Sequence, residues 1–222
     1  MTEHARIIVL SSTKSGDSSL VVHTLSDLWG RRSFLVTMGR KAAAGMFRPM
    51  SLLDCEVTLN SKSDLWRAGK FAYRHLLPGI RNSLSKTAIT MFMGEVLFRT
   101  VRESGKDESL FDWCEASVLT LDSLESDFAN FPVIFLLGLS EALGFRPGPS
   151  DLLPFVNAGE MAAATSVLKS SPAEALLVKM NGGSRAALCE GLIRYLKHHT
   201  ERHIDIRSLA VLHELLSPPT SE

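Results

Sequence analysis

A set of basic residues near the start of the chain offers the clearest chemistry in the sequence. They open predicted strands or lie in the loops between them, where cations can reach the phosphates of a nucleic acid. The set is Lys14, Arg31, Arg32, Arg40, Lys41 and Arg48. This pattern predicts a DNA-binding surface, and an ordinary solvated cationic surface is the alternative.

Three aromatic residues lie close to these cations in sequence and are candidates for stacking on bases. They are Trp29, Phe34 and Phe47. Phe34 falls in a predicted strand, so we expect it in the core. Phe47 stands among small and basic residues, so we expect it to be more accessible.

The histidines His198, His199 and His203 form a second group of residues with chemical potential. His199 and His203 are four positions apart, a spacing that puts two metal ligands on one face of a helix. The metalloprotease order HExxH is absent, and no nearby Cys or Asp pair completes a ligand shell. We therefore expect no metal site, and a metal-dependent enzyme using both histidines is a minor alternative.

Motifs of catalysis are missing from the sequence. It contains no GxSxG, GxxxxGK[ST] or GxGxxG. The stretch Asn181-Gly182-Gly183-Ser184 resembles a phosphate loop only loosely, and a turn between two helices is the better interpretation. We expect no enzymatic activity and no cofactor.

The charge of the chain is distributed unevenly, although its net value is zero. Residues 1–80 hold 11 Lys and Arg against 6 Asp and Glu, whereas residues 81–222 hold 13 against 18. A basic part beside an acidic part indicates that the first part meets a polyanion, although charge patches of this size also arise by chance.

Other features of the composition are typical of a soluble protein. The chain is 45% hydrophobic, which is enough for a substantial core. The longest apolar run, around residues 133–139, is too short to cross a membrane, and the N-terminus does not resemble a secretory signal. We expect a cytoplasmic protein. Its three cysteines, Cys55, Cys114 and Cys189, are far apart in sequence, so we expect reduced and buried thiols.

The first part of the chain has the alternating pattern of short β-strands. Strands are predicted at residues 5–13, 18–25, 31–38 and 50–60, and residues 64–74 could form a fifth strand or the start of a helix. Five short strands with tight turns fit a closed barrel of the OB type, and a small sandwich fits nearly as well.

From about Ser83 the hydrophobic period becomes helical. Helices are predicted at residues 108–124, 131–143, 186–200 and 208–216, and a further helix starts at Ser171-Pro172-Ala173-Glu174. Strands followed by helices indicate an α+β protein with two domains, a barrel in residues 1–80 and a helical domain in residues 81–222.

Several short motifs, taken in order, resemble the RecO family of bacterial recombination mediators. The barrel part carries Ile8-Val9-Leu10, Ser18-Ser19-Leu20-Val21-Val22, Trp29-Gly30-Arg31, Gly39-Arg40-Lys41 and Arg48-Pro49-Met50-Ser51-Leu52-Leu53. The helical part carries Gly94-Glu95-Val96-Leu97, Leu110-Phe111-Asp112-Trp113, Leu143-Gly144-Phe145-Arg146-Pro147 and Arg207-Ser208-Leu209-Ala210-Val211-Leu212. Each motif alone is weak, but the order and spacing of all of them are fairly specific.

The resemblance implies an N-terminal OB domain, a helical C-terminal domain and no catalytic centre. It implies binding to single- and double-stranded DNA, strand annealing, and action with RecR and single-strand binding protein to load the RecA recombinase. By the same resemblance, the positions that contact DNA are Arg31, Arg40, Lys41 and Arg48. A protein–protein adaptor whose barrel is only a scaffold is the alternative.

Two departures from the family pattern stand out. Many members carry a four-cysteine zinc module, but the matching residues 155–164 contain no cysteine here, so we expect no zinc. Some members also place arginines before the buried helix, where they hold the acidic tail of single-strand binding protein. Here that stretch is Phe128-Ala129-Asn130-Phe131-Pro132, without a cation.

Overall fold

Strands precede helices along the chain, as the sequence predicts. A computed structural model describes residues 1–38, 44–60, 63, 65–103 and 105–216. Its strands are β1 (Thr2–Lys14), β2 (Ser19–Ser26), β3 (Gly30–Thr37), β4 (Leu52–Thr58) and β5 (Trp66–Tyr73), with a 3-10 helix at Ala44–Phe47. The α+β class is therefore confirmed.

The five strands close into a barrel in the order β1-β2-β3-β5-β4. β3 and β5 are parallel, and the other neighbours are antiparallel. β1 is long enough to pair with β4 along its first half and with β2 along its second, and its register shifts between Val9 and Ser11. Such a bulge bends a strand around a barrel. Closure decides between the two predicted architectures in favour of the OB-type barrel.

The barrel core consists of the inward-facing residues of each strand. Ile7, Val22, Phe34, Leu53 and Val57 are each no more than 1% exposed. Because successive side chains of a strand point to opposite faces, burial of every second residue marks the inside of the barrel. Residues 66–73, which the sequence left between strand and helix, complete the barrel as β5.

The helical part of the chain begins directly after the barrel. Among the described residues its helices are α1 (Pro78–Arg81), α2 (Leu84–Thr100), α3 (Glu108–Ser123), α4 (Phe131–Ala142), α5 (Pro149–Leu152), α6 (Met161–Lys169), α7 (Pro172–Leu176), α8 (Gly182–Thr200) and α9 (Ser208–Leu216), with a 3-10 helix at Phe128–Asn130. Within the described ranges, none of them combines the length and the apolar character that a membrane span requires.

Two helix starts show how local sequence sets the helix boundaries. The Ser171 hydroxyl accepts from the backbone N–H of Glu174, whose carboxylate in turn accepts from Ser171, so the predicted capping box begins α7. α8 begins earlier than predicted. The side-chain oxygen of Asn181 accepts from the backbone N–H of Ser184 at 2.8 Å, so the glycines after Asn181 form the first helical turn and are not a separate loop.

The chain divides into two compact units. The first contains Met1–Pro78 and Met93–Leu119, which are the barrel, the second half of α2 and most of α3. In this unit a Cβ on Gly94 of α2 would lie 2.6 Å from the carbonyl oxygen of Leu10 in β1. Only glycine therefore lets the helix approach the strand so closely.

The second unit contains Gly79–Phe92 and Thr120–Glu222. Its centre is α4, which is apolar nearly all round and packs mainly against α8. On α8, a Cβ at Gly191 would come within 2.8 Å of the Phe155 carbonyl oxygen, so this glycine also permits a close backbone approach. The cysteines of the two units are all free and buried, as the sequence predicts.

Candidate nucleic-acid interface

A groove at one end of the barrel contains both polar and aromatic side chains. Its walls come from the β2–β3 turn, the start of β3, the residue before β5 and the connection between α2 and α3, all within the first unit. Its lining residues are Leu28, Trp29, Arg31, Arg32, Ser33, Leu65, Glu103, Gly105 and Lys106. The basic residues and the indole give this groove the combination that binds single-stranded nucleic acid.

Strand alternation separates the two arginines that open β3. Arg32 lies on the same side of the strand as the buried Phe34 and Val36, at the start of this row of side chains. Arg31 lies on the opposite side, which faces α2. Both cations line the groove, Arg32 from the core side of β3 and Arg31 from the side that faces α2.

Arg32 stacks on an aromatic pair. Its guanidinium carbon lies 3.7 Å from the centroid of the Trp66 ring, and Trp66 meets Trp29 edge to face at 5.3 Å. The Trp66 indole N–H donates to the Asn60 carbonyl oxygen at 3.1 Å, which orients the ring. The Nε of Arg32 is buried and has no hydrogen-bond partner among the described residues. The stack fixes the position of a planar cation, and a guanidinium can pair with an anion.

Phe98 and Glu103 both contact the Arg31 side chain. Its guanidinium donates to the Phe98 carbonyl oxygen at 3.3 Å and lies 4.9 Å from the Phe98 ring centroid. It also pairs with Glu103, with 3.2 Å between nitrogen and carboxylate oxygen. The Arg31 side chain is 11% exposed, whereas that of Glu103 is 60% exposed. The carboxylate therefore covers the solvent side of this cation.

His23 lies close to the ion pair of Arg31 and Glu103. The His23 ring contacts Phe98 at 4.8 Å between centroids, and its Nδ1 is 2.8 Å from the Ser33 hydroxyl. Burial lowers the pKa of His23, the nearby charge of Arg31 lowers it further, and Glu103 raises it in part. Burial and the charge of Arg31 therefore both disfavour a protonated imidazole at this position.

The remaining predicted cations do not gather in the groove as far as the structure describes the chain. Lys14 ends β1 and is exposed. Arg48 is exposed just after the 3-10 helix, close to Gly45. Arg40 and Lys41 lie outside the described residues. Of the four basic positions that the structure describes, Arg31 and Arg32 line the groove.

The aromatic predictions have mixed outcomes. Phe34 is 1% exposed in the core, as expected. The expectation for Phe47 is wrong, because it is also 1% exposed and packs edge to face against Phe71 at 4.9 Å. Trp29 lines the groove. Trp66 was missed, although a large aromatic beside an arginine at the start of a possible strand was the available signal.

The histidines of the helical part do not form a paired site. α8 ends at Thr200, and Glu201 adopts the left-handed conformation at φ 54°, so His203 lies past the helix and the four-residue spacing no longer places it beside His199. The His199 ring packs at 5.2 Å from Phe145 and at 4.3 Å from Tyr195. Among the described residues, no group of three or more His, Cys, Asp or Glu side chains could hold a metal ion.

A cation does reach the start of the buried helix α4, from a distant part of the sequence. Arg185 of α8 donates from Nε to the Asn130 side-chain oxygen at 3.0 Å. Arg185 and Pro132 also line a small apolar pocket together with residues of α9. The sequence of residues 128–132 suggested no cation at this place, and helix packing supplies one.

Comparison with known proteins identifies relatives of this chain. Residues 81–150 match the family model "Recombination protein O C terminal". The chain is 30% identical to the DNA repair protein RecO of Christiangramia forsetii over 244 aligned residues, which cover 97% of this chain and 99% of the relative. It is 27% identical to the RecO of Flavobacterium psychrophilum over 96% of this chain and 98% of the relative.

A third relative matches over a shorter length. The chain is 34% identical to the DNA repair protein RecO of Bacteroides fragilis over 148 residues, which cover 65% of this chain. That alignment spans about three fifths of the relative, 61% of its length. Because the match to the relative from Christiangramia forsetii extends over nearly both whole chains, this chain belongs to the RecO family of DNA repair proteins.

Proposed function

We propose that this chain is a DNA-binding mediator of recombinational repair, without a catalytic centre of its own. It binds single- and double-stranded DNA, anneals strands, and helps RecR load the RecA recombinase on strands coated by single-strand binding protein. Family membership supports the role in repair. The single observation that supports direct DNA binding is the stack of Arg32 on Trp66 beside Arg31, in a groove at the end of an OB-type barrel.

Phosphate contacts supply most of the affinity in this proposal. The contacting cations are Lys14, Arg31, Arg32, Arg40, Lys41 and Arg48. Arg32 lines the groove, and a guanidinium that is fixed there can pair with a phosphate oxygen through charge-assisted hydrogen bonds. Binding of this kind is nearly independent of base sequence, as annealing of arbitrary strands requires.

Base stacking adds a second contribution. Trp29 is half-buried and meets Trp66 edge to face, so its ring is held rigidly at the groove. One face of Trp66 is covered by Arg32. A base can stack on the exposed part of Trp29 or on the outer plane of the Arg32 guanidinium, since both present flat surfaces.

The protein partners in this proposal follow from the family. An acidic peptide can be captured by an arginine side chain, and apolar residues beside that arginine can add contacts. In the second unit, Arg185 lines an apolar pocket with Pro132, Cys189 and Leu212. We infer that the tail is captured here, where its carboxylate would replace one of the acceptors that Arg185 has in Asn130, Met180 and Leu216. Replacing Arg185 with Lys, which keeps the charge and loses the planar fork, should weaken capture of a peptide copying that tail.

The salt dependence of binding tests the electrostatic basis. If about five phosphates are neutralised on single strands, log Kd against log salt concentration should have a slope magnitude of about 3.5. A labelled oligothymidylate and fluorescence anisotropy give this value. A slope near zero would contradict a phosphate-dominated interface.

Charge reversal tests the assigned residues. The double variant Arg40→Glu with Lys41→Glu should weaken binding to oligonucleotides of different sequence by a similar factor. A matched control is Arg194→Glu with Lys197→Glu, which reverses two exposed cations of α8 in the second unit. Unchanged affinity in the first variant would remove Arg40 and Lys41 from the interface.

A strand-annealing assay separates the mediator from an adaptor whose barrel is only a scaffold. Complementary labelled oligonucleotides, bare or coated with single-strand binding protein, should anneal faster when the chain is added. If the chain neither shifts single-stranded DNA at low salt nor accelerates annealing, the adaptor hypothesis is the better one.

A further inference from the structure

The ion pair between Arg31 and Glu103 has an unusual placement. Both side chains line the groove, yet the arginine is mostly buried and the glutamate is mostly exposed. Glu103 belongs to neither neighbouring helix, because α2 ends at Thr100 and α3 begins at Glu108. An acidic group therefore lines a groove whose three other charged lining residues, Arg31, Arg32 and Lys106, are cations.

The buried arginine needs an anion at this position. An arginine side chain that is 11% exposed loses most of its hydration, and a charge left in such a place without a counter-charge is strongly unfavourable. Phe98 supplies one carbonyl oxygen and an aromatic face, but no negative charge. Glu103 supplies the charge, at 3.2 Å.

The glutamate can leave this pair at little cost to itself. Its side chain is 60% exposed, so water solvates the carboxylate in the paired and the unpaired state alike. A phosphate diester carries the same single negative charge, and its two free oxygens accept hydrogen bonds from an arginine much as a carboxylate does. One anion can therefore replace the other on Arg31.

We propose that Glu103 is an intramolecular mimic of a nucleic-acid phosphate, which occupies Arg31 in the free protein and is displaced when DNA enters the groove. This rests on the proposed function. Binding then exchanges one ion pair for another, and the released carboxylate is left near the DNA backbone. Glu103 thus lowers the affinity for DNA by competing for Arg31 and by repelling phosphates.

The mimic also makes binding selective for a polyanion. A single free phosphate brings one charge and must displace Glu103 alone, so it gains little. A strand brings many phosphates, and its contacts with Arg32 and the other cations hold it in place while it competes for Arg31. We expect inorganic phosphate to compete poorly with an oligonucleotide for the groove.

The test is a double-mutant cycle with Glu103→Gln and Arg31→Gln, read as Kd for a labelled oligothymidylate. Glu103→Gln keeps the size of the side chain and removes its charge, and it should tighten binding about threefold to tenfold. In the Arg31→Gln background the same change should give less than half of that gain in the logarithm of Kd, because the competed cation is gone. Glutamine at position 31 removes the charge and keeps a polar side chain whose length matches the arginine up to its Nε.

Asp112→Asn is the matched control. Asp112 is 57% exposed and pairs with Arg6 at 3.4 Å in the same unit, but it is not among the residues that line the groove. The substitution Asp112→Asn removes one acidic charge of similar exposure, and it should change Kd much less than Glu103→Gln does. Thermal unfolding of each variant checks that the fold is retained.

Several results of these measurements would overturn the role of Glu103. An equal gain from Glu103→Gln with and without Arg31, or a gain no larger than that of Asp112→Asn, would reduce Glu103 to a general surface charge and overturn the proposal. An unchanged Kd in Glu103→Gln, with wild type still binding DNA, would overturn it as well and leave the proposed function intact. Absence of binding by wild type and by Glu103→Gln at low salt would contradict both.

Discussion

The guanidinium carbon of Arg32 lies over the Trp66 ring, 3.7 Å from its centroid, although 34 positions separate the two residues in sequence. The parallel pairing of β3 with β5 brings them together, because Phe34 is aligned with Trp66. Trp66 in turn meets Trp29 edge to face. A cation and two indoles therefore form one rigid group at the end of the barrel.

Breaking this stack should weaken DNA binding. Arg32→Ala should raise Kd about tenfold, because it removes a charge-assisted phosphate contact, and should lower the salt slope by about 0.7. Arg67→Ala, which removes an exposed cation next to Trp66 on the other side of β5, is the control and should have a smaller effect. Anisotropy titrations at several salt concentrations give both values. Equal losses in the two variants would argue against a special role for the stack.

Gly94 should be essential to the packing of α2 on β1. Alanine at this position would place Cβ 2.6 Å from the Leu10 carbonyl oxygen and 3.1 Å from the Pro49 Cβ. We expect a net loss of about 1–3 kcal/mol in the free energy of unfolding, despite the better helix propensity of alanine. Gly159→Ala, where a Cβ meets nothing within 4 Å, should be close to neutral. Urea unfolding compares the two, and a neutral Gly94→Ala would show that the helix can shift outward.

His23 should make stability depend on pH in the mildly acidic range. Its pKa is lowered in the folded protein, so below the ordinary value of about 6.5 the unfolded chain binds a proton that the folded chain resists. The free energy of unfolding should therefore fall as the pH drops below that value, and the effect should vanish above it. His23→Gln should reduce this dependence, whereas the exposed His213→Gln should not. Urea midpoints at pH 7 and pH 5.5 test the difference.

Asn130 should be a stabilising centre of the second unit. Its amide nitrogen lies 3.2, 3.1 and 2.7 Å from the carbonyl oxygens of Ala175, Leu176 and Val178, and its oxygen accepts from Arg185. Alanine would leave these buried groups without a partner, at a cost of about 2–3 kcal/mol. Asn130→Asp should be at least as damaging, because it turns a carboxylate toward three carbonyl oxygens.

The exposed Asn157→Ala is the control for Asn130 and should change the free energy of unfolding very little. Chemical denaturation followed by circular dichroism measures both. A loss at position 130 no larger than that at position 157 would mean that water replaces the amide and that the network is not structural.

The thiols should be unreactive in the native protein. Cys55, Cys114 and Cys189 are 3%, 0% and 2% exposed, and burial raises the pKa of Cys55 and of Cys189 to about 12. A thiol reagent at pH 8 should label them only as fast as the protein opens, since the thiolate is the reactive form. An added surface cysteine, Ser15→Cys, should react at once. Rapid labelling of the wild type would contradict the burial of these side chains.

Local patterns in the sequence predicted much of the fold. Alternation of apolar and polar residues marked four strands, helical periodicity marked the main helices, and the capping box of Ser171 and Glu174 marked a helix start. These features depend on residues within a few positions of each other, and the side on which a side chain is buried follows directly from the period. The basic residues Arg31 and Arg32 were also identified from sequence as a candidate site.

The partners of those residues depended on the tertiary structure alone. Barrel closure places Trp66 beneath Arg32 and buries Phe47, and the connection between α2 and α3 brings Glu103 to Arg31. Helix packing brings Arg185 to Asn130, and one left-handed residue, Glu201, separates His203 from His199. Periodicity records which face of an element is buried but not which distant element covers it. That choice is made by the long-range packing of the whole chain.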